Sequence, residues 1–229
     1  GWAFLFLVGL VPFETVNILP AEWGADLRPY QWLSAILFFA VIMRAAAGKL
    51  PFPLTRPRWF DWLLLLVPAG AFIAAAYAPD TGAVLKQALI TLSFGIVYAL
   101  ARIFWQSVAD IRQSIPFILG SGFVVSAYAL WQNLRFLAGM ESYEVMAGRP
   151  NATFPEADWL GLFTVVMVSI LFALMYRLLS PEKRNSLMEY AENPKIWLVS
   201  AGLMTAFVVL IITVARSAWL GAVAASFVF

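Results

Sequence analysis

The chain contains no cysteine and no histidine among its 229 residues. The first absence excludes disulfide bonds, thiolate nucleophiles and cysteine-based zinc sites, and the second excludes a histidine general base within these residues. Charged residues make up only 12%, and no basic run is present that would bind nucleic acid. Any chemistry carried by this sequence therefore rests on arginine, lysine, carboxylates and hydroxyls.

Apolar sequence dominates what is present. Hydrophobic residues make up 62% and the mean hydropathy is +0.83, which is typical of an integral membrane protein. The apolar residues form blocks of about 20, enough for a helix to cross a hydrocarbon core of about 30 Å, and this favours helices over a β-barrel. We predict an all-α, polytopic transmembrane helix bundle of about seven to eight membrane helices, forming a single domain over residues 1–229.

Short polar stretches separate the predicted membrane helices. We expect helices over 30–47, 62–77, 83–105, 115–137, 158–179 and 196–215, preceded by the end of a first helix within 1–13. Residues 106–114 are expected to form a loop, and Asp158 is expected to be the cap that starts the sixth helix. Because the chain begins without methionine and ends inside an apolar run, we expect it to be truncated at both ends.

The last apolar run, 196–229, is too long for one membrane helix. At 1.5 Å per residue it would be about 50 Å long, against a hydrocarbon core of about 30 Å. Arg216 and Ser217 interrupt it. We therefore predict that the chain breaks or turns near Arg216, and that this arginine lies at a membrane surface or in a polar cavity.

The longest polar interval between two strongly hydrophobic segments runs from 137 to 161. Its arginine, Arg149, and Arg216 could form an anion site, because a guanidinium presents a fixed fork of donors that matches phosphate oxygens. The alternative is that each arginine anchors its helix at the membrane surface. Glu156 and Asp158 could act as a general base or orient a hydroxyl. In the alternative they belong to a solvated loop with Asp158 as the helix cap.

Lysines and arginines divide unevenly between the two predicted sides of the membrane, ten against five. The richer side is cytoplasmic by the positive-inside rule, which makes the 137–161 loop extracytoplasmic. The five cations on that extracytoplasmic side are Arg28, Lys86, Arg135, Arg149 and Arg216. Lys86 and Arg135 either join a basic patch there or merely flank their helices.

Two short stretches resemble motifs of the O-antigen ligase and Wzy-type O-antigen polymerase family. Residues 149–161, Arg-Pro-Asn-Ala-Thr-Phe-Pro-Glu-Ala-Asp-Trp-Leu-Gly, resemble the family pattern Arg-x-x-Gly-Thr-Phe-x-x-x-Asn-x-x-Ala/Gly. Residues 213–221, Thr-Val-Ala-Arg-Ser-Ala-Trp-Leu-Gly, resemble the pattern Thr-x-Ser-Arg-Gly-Ala-x-Leu-Gly. Four positions depart from these patterns: Ala152, Asp158, Ala215 and Ser217.

The resemblance implies a membrane glycosyltransferase of the bacterial cytoplasmic membrane. It would transfer or polymerise glycan from an undecaprenyl-diphosphate-linked donor on the periplasmic face, onto a lipid or glycan acceptor, with membrane lipids around it and without a metal or cofactor. The residues implied in binding the diphosphate are Arg149, Arg216, Thr153 and Phe154, with Glu156, Asp158, Arg135 and Lys86 as helpers. Similar enzymes place a catalytic histidine beyond the second motif, so we expect the base to lie outside this chain and the chain to be inactive alone.

Two other functions fit the same composition. One is a transporter or flippase for a lipid-linked or anionic substrate, which would need charges along a path inside the helices. The other is a noncatalytic membrane scaffold, which would tolerate replacement of both arginines.

Overall fold

The computed structural model describes residues 1–18, 27–50, 58–179 and 192–226. Within these ranges all regular secondary structure is helical, as predicted. The helices are α1 (Trp2–Leu10), α2 (Pro29–Ala46), α3 (Trp59–Tyr77), α4 (Thr81–Phe104), α5 (Val108–Leu137), α6 (Ala157–Leu179), α7 (Pro194–Ile212) and α8 (Arg216–Ser226).

Six of the described helices, α2 to α7, are long and apolar enough to cross a membrane. The protein is therefore a multi-pass membrane protein with an all-α fold. Helices α1 and α8 have 9 and 11 residues, fewer than the roughly 20 needed to span a bilayer. The predicted bounds of the spans agree with the structure to within a few residues, with one exception at α5.

Helix α5 begins at Val108, inside the 106–114 stretch that was expected to be a loop. The expectation was wrong because this polar stretch carries its own helix start. The carboxylate of Asp110 accepts hydrogen bonds from the backbone N–H of Ser107 at 2.8 Å and of Gln106 at 3.2 Å. These bonds satisfy donors that would otherwise lack partners at a helix N-terminus.

Tertiary contacts divide the chain into two compact units, Gly1–Val11 with Asn17–Ser114 and Pro12–Val16 with Ile115–Phe229. In the first unit α4 packs against both α2 and α3, and α1 packs against α2. Its core is formed by five buried side chains: Phe4, Leu7, Tyr30, Val41 and Leu100. The single domain predicted over 1–229 stays a prediction.

A polar cluster joins α3 to α4 in the first unit. Asp61, in the first turn of α3, accepts hydrogen bonds from the Tyr98 hydroxyl and the Arg102 guanidinium of α4. It also accepts one from the backbone N–H of Arg58 at 2.6 Å. The Asp61 side chain is 12% exposed, and such partners stabilise a carboxylate that has lost part of its contact with water. The bond from Arg58 also explains why α3 starts three residues earlier than predicted.

In the second unit α6 is the central helix, packing against α7 and α8. One cluster of buried side chains joins α6 to α7 and includes Val168, Leu171 and Leu203. A second cluster joins α5, the loop before α6, the start of α6, and α7. It includes one buried side chain from each: Val125, Phe154, Leu160 and Val209. The loop contributes Ala152 and Phe154 to this core, so its later part is built into the interior of the unit.

Helix α7 ends at Ile212 and α8 begins at Arg216, which confirms the predicted break. Val214 between them has a φ of 53°, a left-handed conformation that is costly for a β-branched residue. The carbonyl oxygen of Leu210 accepts hydrogen bonds from the Thr213 hydroxyl and from the indole N–H of Trp219, both at 2.8 Å. These two bonds tie α8 back to the end of α7 and hold the strained turn.

Tyr98→Phe removes one hydrogen bond to the Asp61 carboxylate without changing the shape of the side chain. Because this hydrogen bond to a charged carboxylate joins α4 to α3, we expect the free energy of unfolding to fall. The measurement is an equilibrium SDS titration in detergent micelles. Tyr77→Phe is the matched control, since Tyr77 lies on α3 and is 86% exposed; equal loss in both variants would contradict the assignment.

Candidate functional site

The polar loop between α5 and α6 is anchored to α5 by Gln132, whose side chain is 1% exposed. Its amide nitrogen donates to the carbonyl of Tyr143 at 3.2 Å, and its amide oxygen accepts from the backbone N–H of Ala152 at 2.7 Å. One side chain therefore holds both the first part of the loop, at Tyr143, and the part that leads into α6, at Ala152. Gln132 was not predicted from the sequence, although an amide inside an apolar helix is a signal for an internal partner.

Asn151 shapes the part of the loop that carries the first motif. Its side chain is 4% exposed; the amide nitrogen donates to the carbonyl of Phe154 at 2.6 Å, and the amide oxygen accepts from the backbone N–H of Val145 at 3.2 Å. The next residue, Ala152, has a φ of 49°. Glycine adopts that conformation at no steric cost, which gives a physical reason for glycine at this position of the pattern that the sequence resembles.

Thr153 and Phe154 both face the protein interior, each 7% exposed. The Thr153 hydroxyl donates to the carbonyl of Pro12 at 2.6 Å, and its carbonyl accepts from the backbone N–H of Thr15 at 2.9 Å. The Phe154 ring packs against Phe163, with 5.5 Å between centroids. Their role in binding a diphosphate stays a prediction, and their geometry assigns them to positioning the loop.

Arg149 links this loop to the break between α7 and α8. Its Nε donates to the carbonyl of Thr213 at 2.9 Å, and a terminal nitrogen donates to the carboxylate of Asp158 at 2.8 Å. The Arg149 side chain is 25% exposed and that of Asp158 is 54% exposed. The two motifs, 64 residues apart at this contact, therefore meet at one place in the second unit.

The prediction that Asp158 caps α6 was wrong. The helix starts at Ala157, so Asp158 lies inside its first turn. Its carboxylate forms an ion pair with Arg149, and an arginine across the loop is a stronger partner for a carboxylate than a backbone N–H. Asp158 thus pairs with Arg149 while also placing a negative charge at the favourable end of the helix dipole.

Arg216 is the first residue of α8 and its side chain is exposed. Within the described residues its guanidinium makes no hydrogen bond or ion pair. It follows Thr213, the residue that Arg149 contacts, by three positions. The break is therefore followed by an exposed cation, without an anionic partner among the described residues, three positions after the carbonyl to which Arg149 donates.

Small residues allow α6 to approach the break closely. A Cβ atom added to Gly161 would lie 2.7 Å from the Cβ of Ala215 and 2.9 Å from the Cβ of Ala218. Real Cβ atoms essentially never approach other atoms this closely. Only glycine at 161 lets the start of α6, which follows the Arg149 loop, lie directly against the segment that carries Arg216.

The other residues predicted to assist diphosphate binding differ in their exposure and in their contacts. Glu156 is exposed, and its carboxylate has no partner within the described ranges. Arg135 donates to the carbonyl of Glu141 at 2.6 Å, and its guanidinium lies 5.0 Å from the Trp131 ring centroid. Lys86 lies on α4 in the first unit. Of the predicted basic patch, the described structure brings together Arg149 and the segment that begins with Arg216.

An aromatic stack that was not predicted from the sequence joins Tyr143 of the loop to α5. The Tyr143 ring lies parallel to Trp131, with 6.1 Å between centroids, and Trp131 stacks on Tyr128 at 5.4 Å. The Arg135 guanidinium lies 5.6 Å from the Tyr143 ring, a cation–π distance. In the described ranges, no three or more aspartates or glutamates lie close enough to form a metal site.

Searches of protein-family models, of curated proteins and of solved structures each found no match to this chain. The resemblance to the O-antigen ligase and polymerase family therefore depends on the two motifs, and the structure adds that these motifs contact each other.

Gln132→Leu replaces the buried amide with an apolar side chain of similar size. It leaves the N–H of Ala152 and the carbonyl of Tyr143 without partners, and an unsatisfied buried group costs about 1–3 kcal/mol. We expect amide hydrogen exchange over residues 138–156 to accelerate by at least tenfold. Gln113→Leu, at an exposed position of the same helix, is the control; unchanged exchange in Gln132→Leu would show that the amide does not hold the loop.

Gly161→Ala tests the close approach of α6 to the break. Alanine raises the intrinsic stability of a helix by about 1 kcal/mol relative to glycine, but overpacking at this site costs about 1–3 kcal/mol. We expect a lower melting temperature in detergent for Gly161→Ala. Gly120→Ala serves as control, because a Cβ there meets no atom within 4 Å, and it should raise the melting temperature. A rise in both would refute the close contact.

Proposed function

We propose that the protein binds the diphosphate of a lipid-linked glycan at two segments: the loop between α5 and α6, which carries Arg149, and the break between α7 and α8, which Arg216 follows. In this proposal it acts as a glycosyltransferase of the O-antigen ligase or polymerase type. The observation that carries the proposal is the contact between Arg149 and Thr213. It brings together the two stretches whose resemblance to that family was noted from sequence alone.

The electrostatics of the site favour a multiply charged anion. Arg216 is exposed and has no anionic partner among the described residues, and arginine donates to phosphate oxygens in a bidentate manner. Among the residues that the structure describes, the half-exposed carboxylate of Asp158 is the one anion paired with Arg149. A diphosphate, with its higher charge, can replace that carboxylate while the bond from Nε to the Thr213 carbonyl keeps the guanidinium oriented.

In the proposed reaction the hydroxyl oxygen of the acceptor attacks the anomeric carbon of the donor glycan. The bond from that carbon to the diphosphate oxygen breaks, and the diphosphate leaves with the electron pair. Arg149 and Arg216 stabilise the negative charge that develops on it, an effect that preorganised donors supply without a metal. The hydroxyl proton goes to a base. For this role the resemblance implies a histidine outside these residues, and the loop offers the carboxylate of Glu156, which has no partner among the described residues.

The uneven distribution of lysine and arginine supports placing this site on the extracytoplasmic side of a bacterial cytoplasmic membrane. The periplasmic face is where the resemblance would place an undecaprenyl-diphosphate donor and its lipid or glycan acceptor. The transporter alternative has less support, because the charged residues of α3 and α4 lie close to helix ends, as Asp61, Lys86 and Arg102 do. A path through the membrane would need them near helix centres.

Arg149→Ala and Arg216→Ala should each reduce glycan transfer by about 10²–10³-fold, the usual loss on removing one donor that stabilises developing charge. The measurement is surface polysaccharide produced by cells carrying the complete protein, normalised to its amount in the membrane. Arg112→Ala, an exposed arginine of α5, is the control. Normal polysaccharide in both variants would overturn the proposal and favour a scaffold.

Asp158→Asn removes the ion pair with Arg149 and distinguishes two roles of that arginine: binding the diphosphate, or holding the loop together through the ion pair. If Arg149 serves the diphosphate, removing its competing carboxylate should preserve or raise transfer. If the ion pair merely holds the loop together, Asp158→Asn should lower transfer as Arg149→Ala does, and that result would contradict the proposed role of Arg149.

A further inference from the structure

Three side chains meet at the C-terminal end of α5 in the second unit. The Cζ atom of Arg135 lies 5.0 Å from the ring centroid of Trp131 and 5.6 Å from that of Tyr143, and the two centroids are 6.1 Å apart. These groups, which we call the Trp131–Arg135–Tyr143 cluster, therefore form a triangle with nearly equal sides. A ligand as small as one sugar ring can contact all three.

The spacing along α5 explains two of the three positions. Trp131 and Arg135 are four residues apart, so they lie on the same face of the helix. Arg135 is in the last turn, where a cation also meets the negative end of the helix dipole. The helix has 30 residues and is about 45 Å long at 1.5 Å per residue. It exceeds a hydrocarbon core of about 30 Å, so its last turn can reach the polar surface of the membrane.

Tyr143 comes from the loop and is held in a costly backbone conformation. Its φ of 58° is left-handed, which is an outlier for a bulky residue. Its carbonyl accepts a hydrogen bond from Gln132 at 3.2 Å, and the carbonyl of Glu141 accepts one from Nε of Arg135 at 2.6 Å. These bonds fix the backbone that carries the Tyr143 ring. Strained backbone of this kind clusters at ligand-binding and active sites.

The cluster is open to a ligand. Tyr143 is 57% exposed and Trp131 is 41% exposed, although their rings are parallel to within 4°. Within the part of the chain that the structure describes, the two terminal nitrogens of Arg135 donate no hydrogen bond and form no ion pair. The nearby carboxylate of Glu144 accepts instead from the backbone N–H of Gly148 at 2.8 Å.

The cluster combines two kinds of recognition. The face of an aromatic ring carries partial negative charge, and it attracts the polarised C–H bonds on one face of a sugar ring in a weak contact. A guanidinium donates two parallel hydrogen bonds to a carboxylate. A lipid phosphate would also pair with Arg135, but it has no rigid ring to cover Trp131 and Tyr143.

We propose that the Trp131–Arg135–Tyr143 cluster binds a sugar that carries a carboxylate, such as a hexuronic acid. The sugar ring lies on Trp131 and Tyr143, and its carboxylate accepts hydrogen bonds from Arg135. This inference rests on the proposed function, because the sugar would belong to the donor or the acceptor glycan.

The test measures binding of soluble sugars to the full chain in detergent micelles, by saturation-transfer difference NMR. The two probes are methyl glucuronide and methyl glucoside, which differ in a carboxylate. We expect the glucuronide to bind roughly fivefold more tightly, because only its carboxylate can accept from the guanidinium. Arg135→Gln should remove this preference. Trp131→Leu and Tyr143→Leu should weaken binding of both sugars, and Tyr143→Phe, which keeps the ring, should not.

Matched variants control for charge and for loss of an aromatic residue. Arg112→Gln removes an exposed arginine from the same helix, and Trp62→Leu removes an exposed tryptophan from α3. Both should bind the two sugars as the unmodified chain does. Only variants with an unchanged melting temperature are compared; if Tyr143→Leu fails to fold, Trp131→Leu and Arg135→Gln decide.

Four results would overturn the proposal. Two are equal binding of both sugars by the unmodified chain and an unchanged preference in Arg135→Gln. The third is an equal loss of binding in the control variants. The fourth is binding of glycerol 3-phosphate as tight as that of methyl glucuronide, which would assign the cluster to lipid phosphate.

Sugar binding and glycan transfer fail separately. Arg149→Ala should reduce transfer while leaving the binding of methyl glucuronide unchanged. Absent sugar binding, together with transfer that still depends on Arg149 and Arg216, would refute the role of the cluster and leave the proposed function standing.

Discussion

Polar groups that leave water must be satisfied by other protein groups, and the loop between α5 and α6 is organised by this constraint. Gln132 and Asn151 are buried and use both the donor and the acceptor of their amides on loop backbone. Because each amide reaches two points of the chain, the loop has a definite shape without regular secondary structure. The hydroxyl and the carbonyl of Thr153 form further hydrogen bonds, with Pro12 and Thr15 of the Pro12–Val16 segment.

The shape of the loop determines where Arg149 can reach. Because the backbone on both sides of Arg149 is fixed, its guanidinium contacts the carbonyl of Thr213 and the carboxylate of Asp158. The contact to Thr213 requires α6 to lie directly against the break, which only a glycine at position 161 permits. The candidate site therefore depends on two kinds of interaction, buried amide hydrogen bonds and the close packing of small residues.

Strain is concentrated around the same site. Ala152 and Val214 both have left-handed backbone conformations, one in the loop and one in the break. Such conformations are held only when the surrounding contacts over-determine them, and they are frequent at functional positions. Here the hydrogen bond from Ala152 to Gln132 and the two bonds accepted by Leu210 supply those contacts.

The amino-acid sequence was enough to predict the membrane class, the all-α fold, the approximate bounds of the spans and the break at Arg216, because hydropathy and the fixed thickness of a bilayer limit helix length. It also singled out Arg149 and Arg216. It could not determine that Thr153 and Phe154 face inward, that Asp158 pairs with Arg149, or that Gln132 anchors the loop. Those outcomes depend on which donors and acceptors packing brings within hydrogen-bond distance, and residues such as Arg149 and Thr213, far apart along the chain, meet only in the tertiary structure.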